Sequence, residues 1–123
     1  MKNLVKIFLL VLGLGIAFAS TAQTAEKVVL NQTPGAFEQT ELKLEEGKSY
    51  VFEVKNDGVD HKVGFVIAPK GKTDQKNHIK EGYLAKTIAN GESAQSQTVT
   101  LEKGEYVYFC PLNPTPQYSI IVE

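Results

Sequence analysis

After the first 22 residues, the chain consists of short β-prone runs separated by glycine, asparagine and aspartate. Tyr50, Phe52 and Val54 alternate with residues of the opposite face, as they do in an extended segment with one buried side. Similar runs are EKVVLN, TELKL, HKVGFVI, SQTVTL, GEYVYFC and YSIIV. Runs of this length between turn residues are typical of two-sheet proteins, so the sequence predicts an all-β sandwich or barrel.

The alternation breaks between Pro69 and Asn90, where the sequence becomes polar and rich in lysine. Five lysines of this segment stand against only two acidic residues, Asp74 and Glu81. We expect a loop or a short helix inserted around residues 70–90. Its charge fits either a solvated face or a docking patch for an acidic partner.

The N-terminus has the organisation of a signal peptide. Lys2 and Lys6 form a basic region, and the apolar stretch from residue 7 to residue 18 is short for a membrane span. We therefore expect a signal peptide over residues 1–22, a β-domain over residues 23–123, and a periplasmic or secreted location. No second apolar stretch is long enough to cross a membrane.

The charge of the chain excludes some classes of partner. Without Lys2 and Lys6, 11 of the 13 basic residues remain against 14 acidic residues, and the sequence contains no arginine. Nucleic-acid recognition relies on arginine and on a basic surface, so we expect no nucleic-acid partner.

Cys110 is the single cysteine of the chain, so it has no partner for an internal disulfide. It ends a strand-like run and precedes a loop that contains Pro111, Pro114 and Pro116. In an exported protein such a cysteine is a metal ligand, a free thiol, half of an intermolecular bridge, or an inert buried residue. As a catalytic nucleophile it would need a base and an oxyanion site that the sequence does not mark, so we expect no enzyme.

His61 is the other strong candidate for a metal ligand. The run HKVGFVI is predicted to form one strand with His61, Val63, Phe65 and Ile67 on the same face. Its first residue follows a turn, and in a sandwich that position can lie at the same end as Cys110. Thiolate and imidazole together suit copper or zinc.

Three segments resemble the cupredoxins, the plastocyanin-like blue copper proteins. GEYVYFC is similar to their cysteine strand, FEVKNDGVDHKVGFVI to their first histidine strand, and ANGESAQSQTVTL to the strand before the cysteine. The resemblance implies a Greek-key β-sandwich with copper at one end, usually for electron transfer. The Tyr-x-Cys of an immunoglobulin-like domain is also present, but its partner cysteine and tryptophan are missing, and both relationships imply a two-sheet Greek key.

The resemblance also implies a ligand set, which this sequence fills incompletely. His61 matches the first histidine, Cys110 matches the thiolate, and Gln117 lies near the axial position. Asn113 stands where the second histidine is expected, and no histidine follows Cys110; His78 lies in the inserted segment. An amide oxygen does not replace imidazole on copper, so the remaining strong ligands suit two-coordinate cuprous copper better than cupric copper.

These observations leave two main functional hypotheses. The first is an exported copper protein for copper handling or electron transfer, with a redox or copper-exchange protein as its partner. The second is a metal-free cupredoxin-like module that binds a partner. A thiol-based redox role for Cys110 is a third and weaker hypothesis.

Overall fold

The computed structural model describes residues 24–123, so the predicted signal peptide over residues 1–22 lies outside the described part. Within these described residues, eight strands follow one another. They are β1 (Glu26–Thr33), β2 (Ala36–Phe37), β3 (Glu41–Leu44), β4 (Ser49–Asn56), β5 (Val66–Pro69), β6 (Ser93–Thr100), β7 (Gly104–Phe109) and β8 (Tyr118–Val122). In residues 24–123 no helix is both long and apolar enough to span a bilayer.

The strands form two four-stranded sheets. The first has the order β2-β1-β4-β6 and the second has the order β3-β8-β7-β5. Strand β1 pairs in parallel with β4, and β3 pairs in parallel with β8, whereas the other pairs are antiparallel. The predicted all-β Greek-key sandwich is confirmed.

The core fills the space between the two sheets. Leu30, Phe52 and Val54 enter it from the first sheet, and Ile67 and Tyr108 enter it from the second, all fully buried. Burying an apolar side chain of this size stabilises the folded state by about 1.5–3 kcal/mol. The alternation that predicts these strands is therefore the pattern of core burial.

The segment that begins at His61 differs from its prediction as a single strand. Strand β5 begins only at Val66, and the preceding residues form a loop in which Val63 makes one bridge to Ile88. Val63, Phe65 and Ile67 are buried as expected, but His61 is exposed. The prediction that these four residues share one strand face was wrong.

Asn56 explains why this segment is a loop. Its amide oxygen accepts the N–H of Val59 at 2.9 Å, and its amide nitrogen donates to the carbonyl of His61 at 3.0 Å. The same nitrogen donates to the carbonyl of Ile88 at 3.1 Å. A fully buried side chain thus satisfies the N–H of Val59 and the carbonyl of His61, which therefore need no strand partner.

The inserted segment contains two short 3-10 helices, Gln75–Asn77 and Lys80–Gly82, which fits the predicted loop or short helix. The N–H of Ile79 donates to the carbonyl of Ile67 in β5 at 2.8 Å. The N–H of Ala85 donates to the backbone carbonyl of Gln95 in β6 at 2.9 Å. The segment therefore covers part of the free edge of each sheet, where unpaired backbone groups would otherwise invite association.

We predict that Asn56→Ala lowers the free energy of unfolding by about 2–5 kcal/mol, because a buried N–H and two carbonyls lose their partner. The measurement is urea denaturation followed by circular dichroism. Asn77→Ala is the matched control, since the amide of Asn77 makes an exposed hydrogen bond to Asp74. A loss in Asn56→Ala no larger than that of the control would contradict the role given to Asn56.

Candidate functional site at the Cys110 pole

The end of the sandwich that carries Cys110 is called the Cys110 pole here and consists of Cys110, residues 111–117, Gly64 and Gln32. Cys110 follows the last residue of β7, and only 2% of it is exposed. Its sulfur accepts the N–H of Gly64 at 3.3 Å and the N–H of Asn113 at 3.2 Å. The sulfur thus satisfies two backbone donors inside the protein.

Asn113 is buried and uses its side chain within the fold. Its amide nitrogen donates to Oε1 of Gln32 at 3.0 Å and to the carbonyl of Thr33 at 2.9 Å. Its amide oxygen accepts the N–H of Gly35 at 2.8 Å. Both amide hydrogens are therefore paired, and the side chain is fixed on the turn between β1 and β2.

Gln32 extends this network across the pole. It is fully buried, and its amide nitrogen donates to the carbonyl of Gly64 at 3.0 Å. The Gln32–Asn113 pair therefore connects three segments of the chain: the β1–β2 turn, the loop before β5 and the loop after β7. Sequence reasoning missed Gln32. The alternation does indicate its burial, because Gln32 lies two residues after Leu30 and therefore on the same inward face of β1.

His61 lies in a different environment from Cys110. It is exposed, and its Nδ1 is 3.1 Å from the carbonyl of the adjacent Lys62. The group of this segment that reaches the sulfur is the backbone N–H of Gly64, three residues further along the chain.

The two other residues considered as ligands have surroundings of their own. Gln117 is exposed. His78 is half-buried, and both its ring nitrogens have partners: Nδ1 is 2.7 Å from the hydroxyl of Tyr83, and Nε2 is 2.9 Å from the carbonyl of Thr73. Because a carbonyl only accepts, Nε2 carries the proton that is shared with Thr73.

The residues around Cys110 do not fit a blue copper centre, which needs two imidazoles and a thiolate in one plane. In the part of the chain that the structure describes, no three His, Cys, Asp or Glu side chains are placed to share a metal ion. The amide of Asn113 is hydrogen-bonded inside the fold. The assignment of His61, Cys110 and Gln117 as copper ligands stays a prediction from the resemblance.

The buried tyrosine next to the pole has an altered pKa. Tyr108 donates its hydroxyl to the carbonyl of Gln39, and it is fully buried in the core. Burial, followed by the neighbouring Tyr118, raises the pKa of Tyr108 above its ordinary value. This tyrosine therefore stays neutral and serves as a hydrogen-bond donor that ties β7 to the segment before β3.

A shallow groove lies beside the pole, with a cavity volume of about 340 Å³. Its walls come from the start of β5, from the inserted segment and from the loop after Cys110. They are formed by Gly64, Phe65, Val66, Tyr83, Leu84, Lys86, Thr87, Pro111 and Leu112. Leu112 is 49% exposed, so it offers an apolar side chain to solvent at the edge of the groove.

Three solved structures illustrate the similarity of this fold to known proteins. Auracyanin A, a "blue" copper protein from Chloroflexus aurantiacus, is 15% identical with a TM-score of 0.67, over 81% of this chain and 100% of that chain. Auracyanin B is 18% identical with a TM-score of 0.68, over 85% of this chain and 93% of that chain. The auracyanin from Roseiflexus castenholzii is 16% identical with a TM-score of 0.63, over 80% of this chain and 98% of that chain.

At these identities the structural similarity shows the fold alone. No curated protein sequence matches the chain. The family model described as the cupredoxin-like domain matches residues 6–122, which is nearly the whole chain. The chain therefore belongs to the cupredoxin-like family.

Proposed function

We propose that this chain is an exported cupredoxin-like module that acts by binding a partner, without a copper centre. The observation that carries the proposal is the state of Asn113. It stands where the resemblance places the second histidine ligand, and it is buried with its amide hydrogen-bonded to Gln32, Thr33 and Gly35. A residue used in this way supports the fold and is not available to a metal.

The amide network supplies a connection that a bound metal would otherwise provide. In a metal centre, ligands from separate loops are held together by the ion. Here the Gln32–Asn113 pair and the sulfur of Cys110 hold the same loops together with hydrogen bonds. A fully satisfied buried polar network specifies one arrangement of its segments, so the pole is rigid as it stands.

A rigid pole with an exposed apolar residue is suited to binding. Pro111, Pro114 and Pro116 limit the freedom of the loop after Cys110, which lowers the entropy lost when that loop engages a partner. Leu112 and the groove beside it give this end an apolar contact surface. The export of the protein rests on the signal peptide expected over residues 1–22.

We predict that the mature protein retains neither cupric nor cuprous copper at one equivalent. The measurement is titration under reducing and oxidising conditions against a chromophoric copper chelator, with the visible spectrum recorded throughout. Cys110→Ala is the control, and it should titrate like the wild type. Stoichiometric copper that is lost in Cys110→Ala would overturn the proposal and support the copper hypothesis with His61 and Cys110.

We predict that Asn113→His does not restore a blue copper centre and lowers the free energy of unfolding by about 2–5 kcal/mol, because Gln32 and the N–H of Gly35 lose their buried partner. Copper-dependent absorption and urea denaturation measure the two effects. Asn90→His is the control, because Asn90 is exposed and accepts only the N–H of Gly58 among its observed side-chain contacts. An Asn113→His variant of full stability with intense copper absorption would contradict the account.

A further inference from the structure

We propose that the groove beside the Cys110 pole and a second cavity next to it form one trough, and that this trough binds an acidic segment of a partner protein. One apolar side chain of that segment packs on Leu112. This inference rests on the proposed function, because it names the class of partner that the module binds. It is carried by the shape of the trough, by the distribution of charge and by the exposure of Leu112.

The trough has an apolar part and a polar part. The groove at Leu112 shares Tyr83 and Leu84 with a second cavity of about 460 Å³. Gln95, Ser96 and Gln97 of β6, together with Lys80, line the second cavity. An extended segment that enters at Leu112 and continues over Tyr83 and Leu84 therefore passes from an apolar contact to a polar one. There it meets the ammonium of Lys80 and the amide of Gln95, whose nitrogen already donates to the carboxylate of Glu53 at 3.0 Å.

The charge of the chain is divided between this region and the rest. Residues 62–90 contain six lysines and two acidic residues, whereas the remainder of residues 24–123 contains five lysines and twelve acidic residues. Lys86 lines the apolar part of the trough and Lys80 lines the polar part. Lysines along one trough favour acidic partners and accelerate their association. Lys70 of the same segment pairs with Glu105 at 3.0 Å and does not line the trough.

Glu92, which pairs with Lys86, is only a weak competitor for that lysine. Glu92 lies 3.8 Å from the ammonium of Lys86, and both side chains are about half exposed or more. Its carboxylate also accepts the N–H of Ala89 at 3.0 Å, and this bond, followed by the charge of Lys86, lowers the pKa of Glu92. An exposed pair of this kind contributes little, so a carboxylate of the partner can replace Glu92 at Lys86 at a small cost in free energy.

The shape of the trough favours a protein segment over a small molecule. Sites for small molecules enclose most of the ligand surface, whereas this groove is shallow and open to solvent. A second copy of the chain would present its acidic side to the lysines of the first. That contact joins two different surfaces and leads to rings or open chains of molecules, not to a two-fold symmetric dimer.

Gly64 provides a position from which a side chain can fill the groove. A Cβ placed at Gly64 would meet only the Cδ1 of Leu112, at 4.0 Å. The N–H and carbonyl of Gly64, which bind Cys110 and Gln32, do not depend on its side chain. Gly64→Leu therefore places an apolar side chain against Leu112, in the space assigned to the partner.

The test is selection of random peptides, displayed on phage, against the immobilised mature protein, followed by calorimetry with the enriched peptides. We expect net negative peptides with an aromatic or aliphatic anchor. Their affinity should fall about tenfold or more in Gly64→Leu, in Leu112→Ser and in Lys80→Glu/Lys86→Glu, the loss typical of an interface anchor. Added salt should weaken the lysine contacts.

Val29→Ser and Lys103→Glu are the matched controls. Val29 is 49% exposed, like Leu112, but lies on the outer face of β1, and Lys103 is exposed in the turn before β7. Neither change should alter the affinity. Urea denaturation of each variant shows whether it is folded, and a folded Gly64→Leu variant with unchanged affinity would overturn the inference.

Three other results would also overturn it: no enrichment of any peptide, enrichment without an acidic bias, or concentration-dependent self-association that Gly64→Leu abolishes. The copper titration distinguishes failure of the trough assignment from failure of the proposed function. Peptide binding outside the trough in a protein that retains no copper overturns only the assignment of the trough. Stoichiometric copper binding overturns the proposed function itself.

Discussion

The hydrogen bond between the side chains of Gln32 and Asn113 is the interaction on which the Cys110 pole depends. Both residues are buried, and the bond joins strand β1 to the loop after β7, which are 81 residues apart along the chain. The carbonyl of Gly64 joins this network by accepting a hydrogen bond from Gln32. The sulfur of Cys110 accepts the N–H groups of Gly64 and Asn113. Removing either amide would leave the other buried without its partner, at a cost of about 1–3 kcal/mol.

The sandwich beneath this network makes the arrangement stable. Leu30 and Gln32 lie on the same inward face of β1, so the strand that contributes to the core also carries an amide into the pole. At the other end of the network, the loop after Cys110 returns the chain to β8, which pairs with both β7 and β3. The position of Leu112 on the surface is therefore set by the core and by the network together.

The alternation of residues such as Phe52 and Val54 predicted the sandwich and most of its strands, because burial on one face has a period of two. Strand β2 has only two residues and shows no such alternation. The resemblance predicted the family from GEYVYFC and its neighbours. The loop at His61 was not predictable in the same way, since its shape depends on hydrogen bonds from Asn56 to residues up to 32 positions away. Gln32 was missed because alternation gives the direction of a side chain but not its polar partner.

The central claim is that hydrogen bonds, and not a metal ion, order the Cys110 pole. Hydrogen exchange of the backbone N–H groups of Gly64 and Asn113, followed by NMR in the metal-free protein and after addition of copper, tests it most directly. The account predicts slow exchange of both groups without metal and no change when copper is added. Fast exchange in the metal-free protein that becomes slow only with copper would contradict it.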